Sequence, residues 1–189
     1  MLKKFFIGSF IAIMFSANSS AQNPKPEDEL QIIEQMTKLT EQHRFLHSFE
    51  GKWKIKGISY TIESQTPVTG TAEIKVIFNG HYVEMNLQIG DLDLISHSRI
   101  TLGFDTRNNK FTLHSIDDFS NSGLSSTGER NGDEIIFNGK DYSLYYTQDI
   151  LYRIVIKKER ENKISYKFYN TIKGKEILLI KYYFFKIRQ

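Results

Sequence analysis

The strongest constraint on the fold is an alternation of apolar and polar side chains that begins near Gly51 and runs to the end of the chain. It is clearest over residues 68–89, where it is interrupted only at Asn79-Gly80. A period of two predicts strands with one dry face, and Asn-Gly between two such runs predicts a type I′ hairpin.

Further strands are predicted along the rest of the chain, and most connections between them are only a few residues long. Such connections are too short for crossover helices, so the sheet is expected to be antiparallel and sequential. Because closure removes exposed edges, we predict a mainly β fold, an antiparallel up-and-down β-barrel of about ten strands preceded by one N-terminal α-helix. A two-sheet sandwich is the alternative. The further strands are predicted at 97–105, 110–117, 124–130, 134–138, 140–147, 150–158, 163–170 and 176–187, with a turn at Asn138-Gly139.

The N-terminal part of the chain has a different pattern. Residues 1–21 combine two lysines, an apolar stretch and small residues before Gln22, which predicts a signal peptide cleaved after Ala21. Apolar residues at steps of three and four then predict one amphipathic helix. The predicted organisation is a signal peptide over 1–21, a leader over 22–26, a helix over 27–48 and a β-barrel over 49–189. The expected localisation is the periplasm or the medium.

Composition and motifs narrow the function classes. The chain has no cysteine, which excludes disulfides and thiolate metal ligands. Common hydrolase, zinc and phosphate-binding motifs are also missing from the sequence, so no cofactor and no metal are expected. Residues 151–189 hold 11 Lys and Arg against 3 Asp and Glu, but these charges fall largely between apolar residues. That is typical of a solvated sheet face, so neither nucleic acid nor a stable membrane anchor is expected.

The only tryptophan, Trp53, lies at the start of the first strand, in Gly51-Lys52-Trp53. We expect it to close one end of the barrel. Gly-x-Trp at this place resembles the lipocalin and fatty-acid-binding barrel superfamily, in which a basic residue from a late strand often stacks on the tryptophan. That resemblance implies Arg188 as the partner. The other interior residues of this strand are expected to be Ile55 and, after a phase change at a bulged Gly57, Ile58, Tyr60 and Ile62.

Four longer blocks, HRFLHSFEGKW, GTAEIKVIFNGHYVEMNL, LGFDTRNNKFTLHSIDDFSNSGLSSTG and KYYFFK, occur in that order. They resemble successive blocks of the DUF1579 family, bacterial barrel proteins without an assigned activity. His81 and Ser115 stand where the family tends to have arginine and tryptophan. The family-like positions are His43, Gly51, Trp53, Gly80, Gly103, Asp105, Lys110, Asp117 and Gly123.

The barrel and the export signal favour a non-enzymatic protein that holds a small apolar or amphipathic ligand inside the barrel. One alternative is an enzyme with acid/base residues inside the barrel; another is a filled barrel that acts as an interaction module. The predicted cavity is lined by Met85, Leu87, Phe104, Phe111 and tyrosines. The full set of candidate ligand-binding residues is Trp53, Met85, Leu87, His97, Arg99, Phe104, Phe111 and His114.

Several of these polar candidates have two interpretations. If the apolar face of the strand over 97–105 is inside, which is favoured, His97 and Arg99 are solvated; if the polar face is inside, they could hold a carboxylate. His43 and His47 lie one helical turn apart, but two ligands leave a zinc site incomplete. The pair Asp117-Asp118 is interpreted as a strand end and turn.

Aromatic residues are abundant, with 14 Phe and 10 Tyr, and many of them lie late in the chain. In residues 181–185 they occupy both faces of one strand, so one face must be covered outside the barrel. The helix, a second copy in a homodimer or a ligand rim would cover it, and ordinary core and surface packing is the favoured interpretation.

Overall fold

The structure is a computed structural model that describes residues 26–61, 63–90, 94–118, 120, 122–143 and 147–188. The chain divides into two compact units, residues 1–35 and residues 36–189. The predicted signal peptide and residues 22–25 of the leader lie outside the described residues. Within the described ranges, no helix is both long enough and apolar enough to cross a membrane.

The region predicted as one helix over 27–48 contains two helices, α1 (Pro26–Thr37) and α2 (Glu41–His47). The first lies largely in the first unit and the second in the larger unit. Thr40 has an extended backbone, and its N–H donates to Nδ1 of His43 at 3.0 Å. This interaction caps the start of α2. The apolar residues keep a helical spacing across residues 38–40, although the helix is interrupted there.

Ten antiparallel strands form a closed barrel in sequential order, and β1 pairs with β10 to complete it. The predicted up-and-down barrel is confirmed, and the two-sheet sandwich is wrong. The strands are β1 (Gly51–Tyr60), β2 (Gln65–Ile77), β3 (Tyr82–Gly90), β4 (Ile95–Asp105), β5 (Lys110–Asp117), β6 (Leu124–Asn131), β7 (Glu134–Ser143), β8 (Gln148–Arg160), β9 (Lys163–Ile172) and β10 (Lys175–Lys186).

Two predicted turns differ from the structure. The β2–β3 hairpin is present, but Ile77 pairs with Tyr82 and the turn between them is longer than the predicted two residues. The predicted turn at Asn138-Gly139 is absent, since both residues lie inside β7. A Cβ at Gly139 would lie 2.2 Å from Cζ of Tyr152 on the neighbouring strand. This glycine therefore makes room for an aromatic ring and does not mark a turn.

The predicted phase change at Gly57 is also wrong. The pairing of β1 with β10 is continuous from Trp53 to Ser59, so Ser59 faces inward and Ile58 does not. A Cβ at Gly57 would lie 2.4 Å from Cδ1 of Tyr182. The Lys181 carbonyl oxygen is equally close, so the glycine is needed because both the backbone and a tyrosine ring of β10 lie against it. Ile62 lies outside the described residues.

The larger unit has a densely packed end where α2 meets the barrel, here called the helix end. Trp53 is 1% exposed, and its Nε1 donates to the carbonyl oxygen of Phe49 at 3.0 Å. The cation beside its ring is Lys186, with Nζ 5.3 Å from the ring centroid, and not the predicted Arg188. Arg130 holds α2 in place, because its guanidinium carbon lies 3.9 Å from the Phe45 ring centroid.

Candidate functional site

The barrel interior is not filled at the opposite end, here called the cavity end. An inner cavity of about 500 Å³ lies there. Its walls are mostly apolar, with several small hydroxyl side chains. The lining residues are Ser59, Thr66, Val68, Leu87, Ile89, Gly90, Leu94, Ser96, Ser98, Ile100, Ser115, Asp117, Leu124, Tyr166, Phe168, Ile180 and Tyr182.

Two tyrosines form one wall of the inner cavity. Tyr166 on β9 pairs directly with Tyr182 on β10, and their rings stack with centroids 6.1 Å apart and planes 20° apart. Burial raises the pKa of both hydroxyls, and the nearby Asp117 adds to the rise for Tyr166. Both hydroxyls are therefore neutral and able to donate and accept hydrogen bonds. Within the part of the chain that the structure describes, neither has a hydrogen-bond partner.

Asp117 brings a carboxyl group to the same cavity. It is the last residue of β5, and its Oδ1 accepts the backbone N–H of Ser120 at 2.9 Å. The interpretation as a strand end and turn is therefore confirmed by the backbone, but it is incomplete, because the residue also lines the inner cavity. No lysine, arginine or histidine is among the described lining residues.

The structure separates the residues predicted to bind a ligand. Leu87 lines the inner cavity. Trp53, Met85 and Phe111 are fully buried in the core and are not among the described residues that line it. Phe104 lies near the helix end, with its ring centroid 5.8 Å from that of His43. The expectation of a cavity lined by Met85, Phe104 and Phe111 thus differs from the structure, because packing against α2 fills that level of the barrel.

His97 and Arg99 lie on the outside of β4, while Ile100 is buried. The favoured interpretation of this strand, with its apolar face inside, is the one observed. The two side chains border a groove of about 780 Å³ on the outer surface. There His97 Nδ1 lies 2.9 Å from Asp118 Oδ2, and this hydrogen bond lowers the pKa of Asp118. The pair is solvated, with side chains 59% and 46% exposed, so it does not form an acid/base site inside the barrel.

The helix end brings three histidines together. His43 is 2% exposed, and its Nδ1 accepts the Thr40 N–H, which leaves the ring proton on Nε2. His47 Nε2 donates to the carbonyl oxygen of Gly80 at 2.7 Å. Burial, and after it the charges of His81 and His47, lower the pKa of His43. Among the described residues, no group of three His, Cys, Asp or Glu is arranged to hold a metal ion.

His114 lies on the outer face of β5, where its Nδ1 is 2.9 Å from the Ser125 hydroxyl. The family-like positions are distributed over both ends of the barrel. His43, Gly80, Gly103 and Asp105 lie at the helix end, and Asp117 and Gly123 lie at the cavity end.

The sequence analysis did not predict that Asp117, Tyr166 and Tyr182 line one cavity. Tyrosines were expected inside the barrel, but the alternation in residues 166–169 and 181–185 does not show which of them face inward. Gly57 carries a usable signal, since a glycine inside an alternating strand often marks the close approach of another group. The register of β1 on β10 identifies that group as Tyr182.

Comparison with known proteins gives a family for the chain. A search of curated protein sequences finds no match. A family model described as "Protein of unknown function (DUF1579)" matches residues 38–184. This range includes α2 and nearly all of the barrel. The chain therefore belongs to the DUF1579 family.

Proposed function

We propose that this protein binds a small apolar or amphipathic molecule in the inner cavity. One observation carries the proposal: a cavity of about 500 Å³ with mostly apolar walls, lined by two tyrosines whose hydroxyls have no hydrogen-bond partner among the described residues. Its volume lies in the range of about 300–1,000 Å³ that small-molecule sites occupy. Burying apolar ligand surface would supply the affinity, at about 25 cal/mol per Å² before the costs of binding.

The unpartnered hydroxyls support the binding of an amphipathic molecule over that of a wholly apolar one. Among the described residues, the buried side-chain oxygen without a partner is Ser126 Oγ, so the hydroxyls of Tyr166 and Tyr182 are not buried orphans. They keep hydrogen-bonding capacity beside apolar walls, and a ligand with one polar group would use it.

We also propose that the protein is exported, on the basis of the N-terminal signal-peptide pattern alone. The test is to fractionate expressing cells and sequence the N-terminus of the recovered protein. Mature protein beginning at Gln22 in the periplasm or medium would support the proposal. Full-length protein in the cytoplasm would contradict it.

The binding proposal is tested by identifying what the protein carries. Protein purified from its native compartment is examined by absorbance and then denatured, and the released molecules are identified by mass spectrometry. A stoichiometric apolar or amphipathic compound is the expected result. An empty protein that also shows no thermal shift with a panel of lipids and metabolites would contradict the proposal.

Two neighbouring residues of β5 offer a matched pair of variants. Ser115 lines the inner cavity, and His114 points outward. We expect Ser115→Phe to fill the cavity and abolish ligand retention, and His114→Phe to leave it unchanged. Circular dichroism checks that both variants fold. Equal retention by the two folded variants would place the ligand elsewhere.

A further inference from the structure

We infer that the inner cavity selects ligands with a cationic amine head group and rejects ligands with a carboxylate. The inference rests on the proposed function, since it names the class of ligand for the same site. It is derived from the sign of the charges around the cavity and from the hydrogen-bonding capacity of its polar wall.

The charge of the lining is negative. Of the described residues around the cavity, Asp117 is the only one with a carboxyl or basic side chain. Among the described lining residues, a carboxylate ligand would meet no basic side chain and would lie beside a like charge. Burying an unpaired charge in this way is strongly unfavourable. An ammonium group would instead form an ion pair with Asp117.

Two basic side chains near this end form ion pairs on the outer surface. Arg153 forms an ion pair with Glu176 at 2.6 Å, and Lys140 forms one with Asp149 at 2.7 Å. Lys140 on β7 and Arg153 on β8 alternate with the residues of their strands that face the barrel interior. These cations are thus neutralised by partners outside the barrel and are not directed at the cavity.

The polar wall fits the donors of an amine. A primary ammonium group has three N–H donors and no acceptor. Asp117 offers carboxylate oxygens, and Tyr166 and Tyr182 offer neutral phenol oxygens. Strands β5, β9 and β10 bring these three residues to one cavity. The apolar lining would then hold the hydrocarbon part of the ligand.

The test uses three probes of equal chain length and different charge: decylamine, decanol and decanoate. Each is titrated against purified protein loaded with the neutral fluorescent probe N-phenyl-1-naphthylamine, and displacement is followed by fluorescence. We expect decylamine to displace the probe at a concentration about tenfold lower than decanoate does, with decanol in between.

Two variants test which residues cause the preference for an amine over a carboxylate. Asp117→Asn keeps an oxygen that can accept the Ser120 N–H, so the turn is retained. This variant should remove the tenfold preference for decylamine over decanoate and leave the displacement of the probe by decanol unchanged. Tyr182→Phe should weaken the binding of both decylamine and decanol, because it removes a phenol oxygen without changing the charge.

The outcomes separate the inference from the proposed function. If the probe binds and decanoate competes as well as decylamine does, the charge inference is overturned while the binding function stands. An unchanged preference in folded Asp117→Asn would also overturn it. If neither the fluorescent probe nor any competitor binds, both proposals are wrong.

Discussion

The two ends of the barrel differ in whether their inward polar atoms are hydrogen-bonded to other groups of the chain. At the helix end, Trp53 Nε1 is bonded to the Phe49 carbonyl oxygen, and His43 Nδ1 is bonded to the Thr40 N–H. At the cavity end, the hydroxyls of Tyr166 and Tyr182 have no partner among the described residues. One end has therefore satisfied its polar groups with the chain itself, and the other retains hydrogen-bonding capacity for something else.

The ends differ in packing as well. Large side chains fill the helix end, whereas about 500 Å³ stays open at the cavity end. Both features are expected when one end supplies stability and the other end supplies binding, since binding sites commonly carry unsatisfied groups at a cost in stability. This division of roles can be tested by comparing matched substitutions at the two ends.

The largest difference is expected for two phenylalanines. Phe184 is fully buried between Ile55 and Ile164, and Phe168 borders the inner cavity. Phe184→Ala should lower the free energy of unfolding by about 3–5 kcal/mol, and Phe168→Ala by about 1–2 kcal/mol, because the second site already has an open side. Urea denaturation of both variants measures this. Equal losses would contradict the division between the ends.

A smaller difference is expected when one polar group is removed from each end. Trp53→Phe leaves the buried Phe49 carbonyl oxygen without its donor and should cost about 1–3 kcal/mol of unfolding free energy. Tyr166→Phe removes a hydroxyl that has no partner among the described residues, so we expect a change within about 0.5 kcal/mol or a gain in stability. Thermal denaturation compares the two. A loss at Tyr166 as large as that at Trp53 would show that its hydroxyl is satisfied.

The helix end should also show a pH dependence near neutrality, whereas the two cavity tyrosines have raised pKa values and titrate only at alkaline pH. The pKa of His43 is lowered from 6.5 in the folded state, chiefly by burial. Above pH 6.5 the residue is neutral in both states; as pH falls through 6.5, the unfolded chain takes up the proton first, and the folded state loses stability. The loss levels off below the folded pKa.

Urea unfolding at several pH values between about 5.5 and 7.5 measures this slope. His43→Asn keeps an acceptor for the Thr40 N–H and does not titrate, so its slope should be smaller. His114→Asn changes an exposed histidine on the outer face of β5 and serves as the control. A slope that is the same in all three proteins would assign it to other groups.

The smallest effect is expected on the outside of the cavity end. Asp118→Asn removes the carboxylate that is hydrogen-bonded to His97, but both side chains are solvated and such contacts contribute little. We expect no measurable change in the urea midpoint and no change in ligand retention. A clear loss of retention would move the binding site from the inner cavity to the outer groove.

The barrel could be predicted because its determinants are local. The two-residue period and the short connections imply sequential antiparallel strands wherever they occur in a chain. The same reasoning failed at the break between α1 and α2, where the His43 ring caps a second helix. It also failed at Gly139, where the cause is the Tyr152 ring on another strand.

The sequence by itself determined the family and the strand order and favoured the inward face of β4 that is observed, since each depends on residue types close together in the chain. Only the tertiary structure decided that Asp117, Tyr166 and Tyr182 share one cavity, that Trp53 lies in the filled end, and that Lys186 is its cationic neighbour. The reason is physical: a strand's register and its depth in the barrel are set by packing between distant strands. Alternation specifies which face a side chain occupies, but not which side chains it meets there.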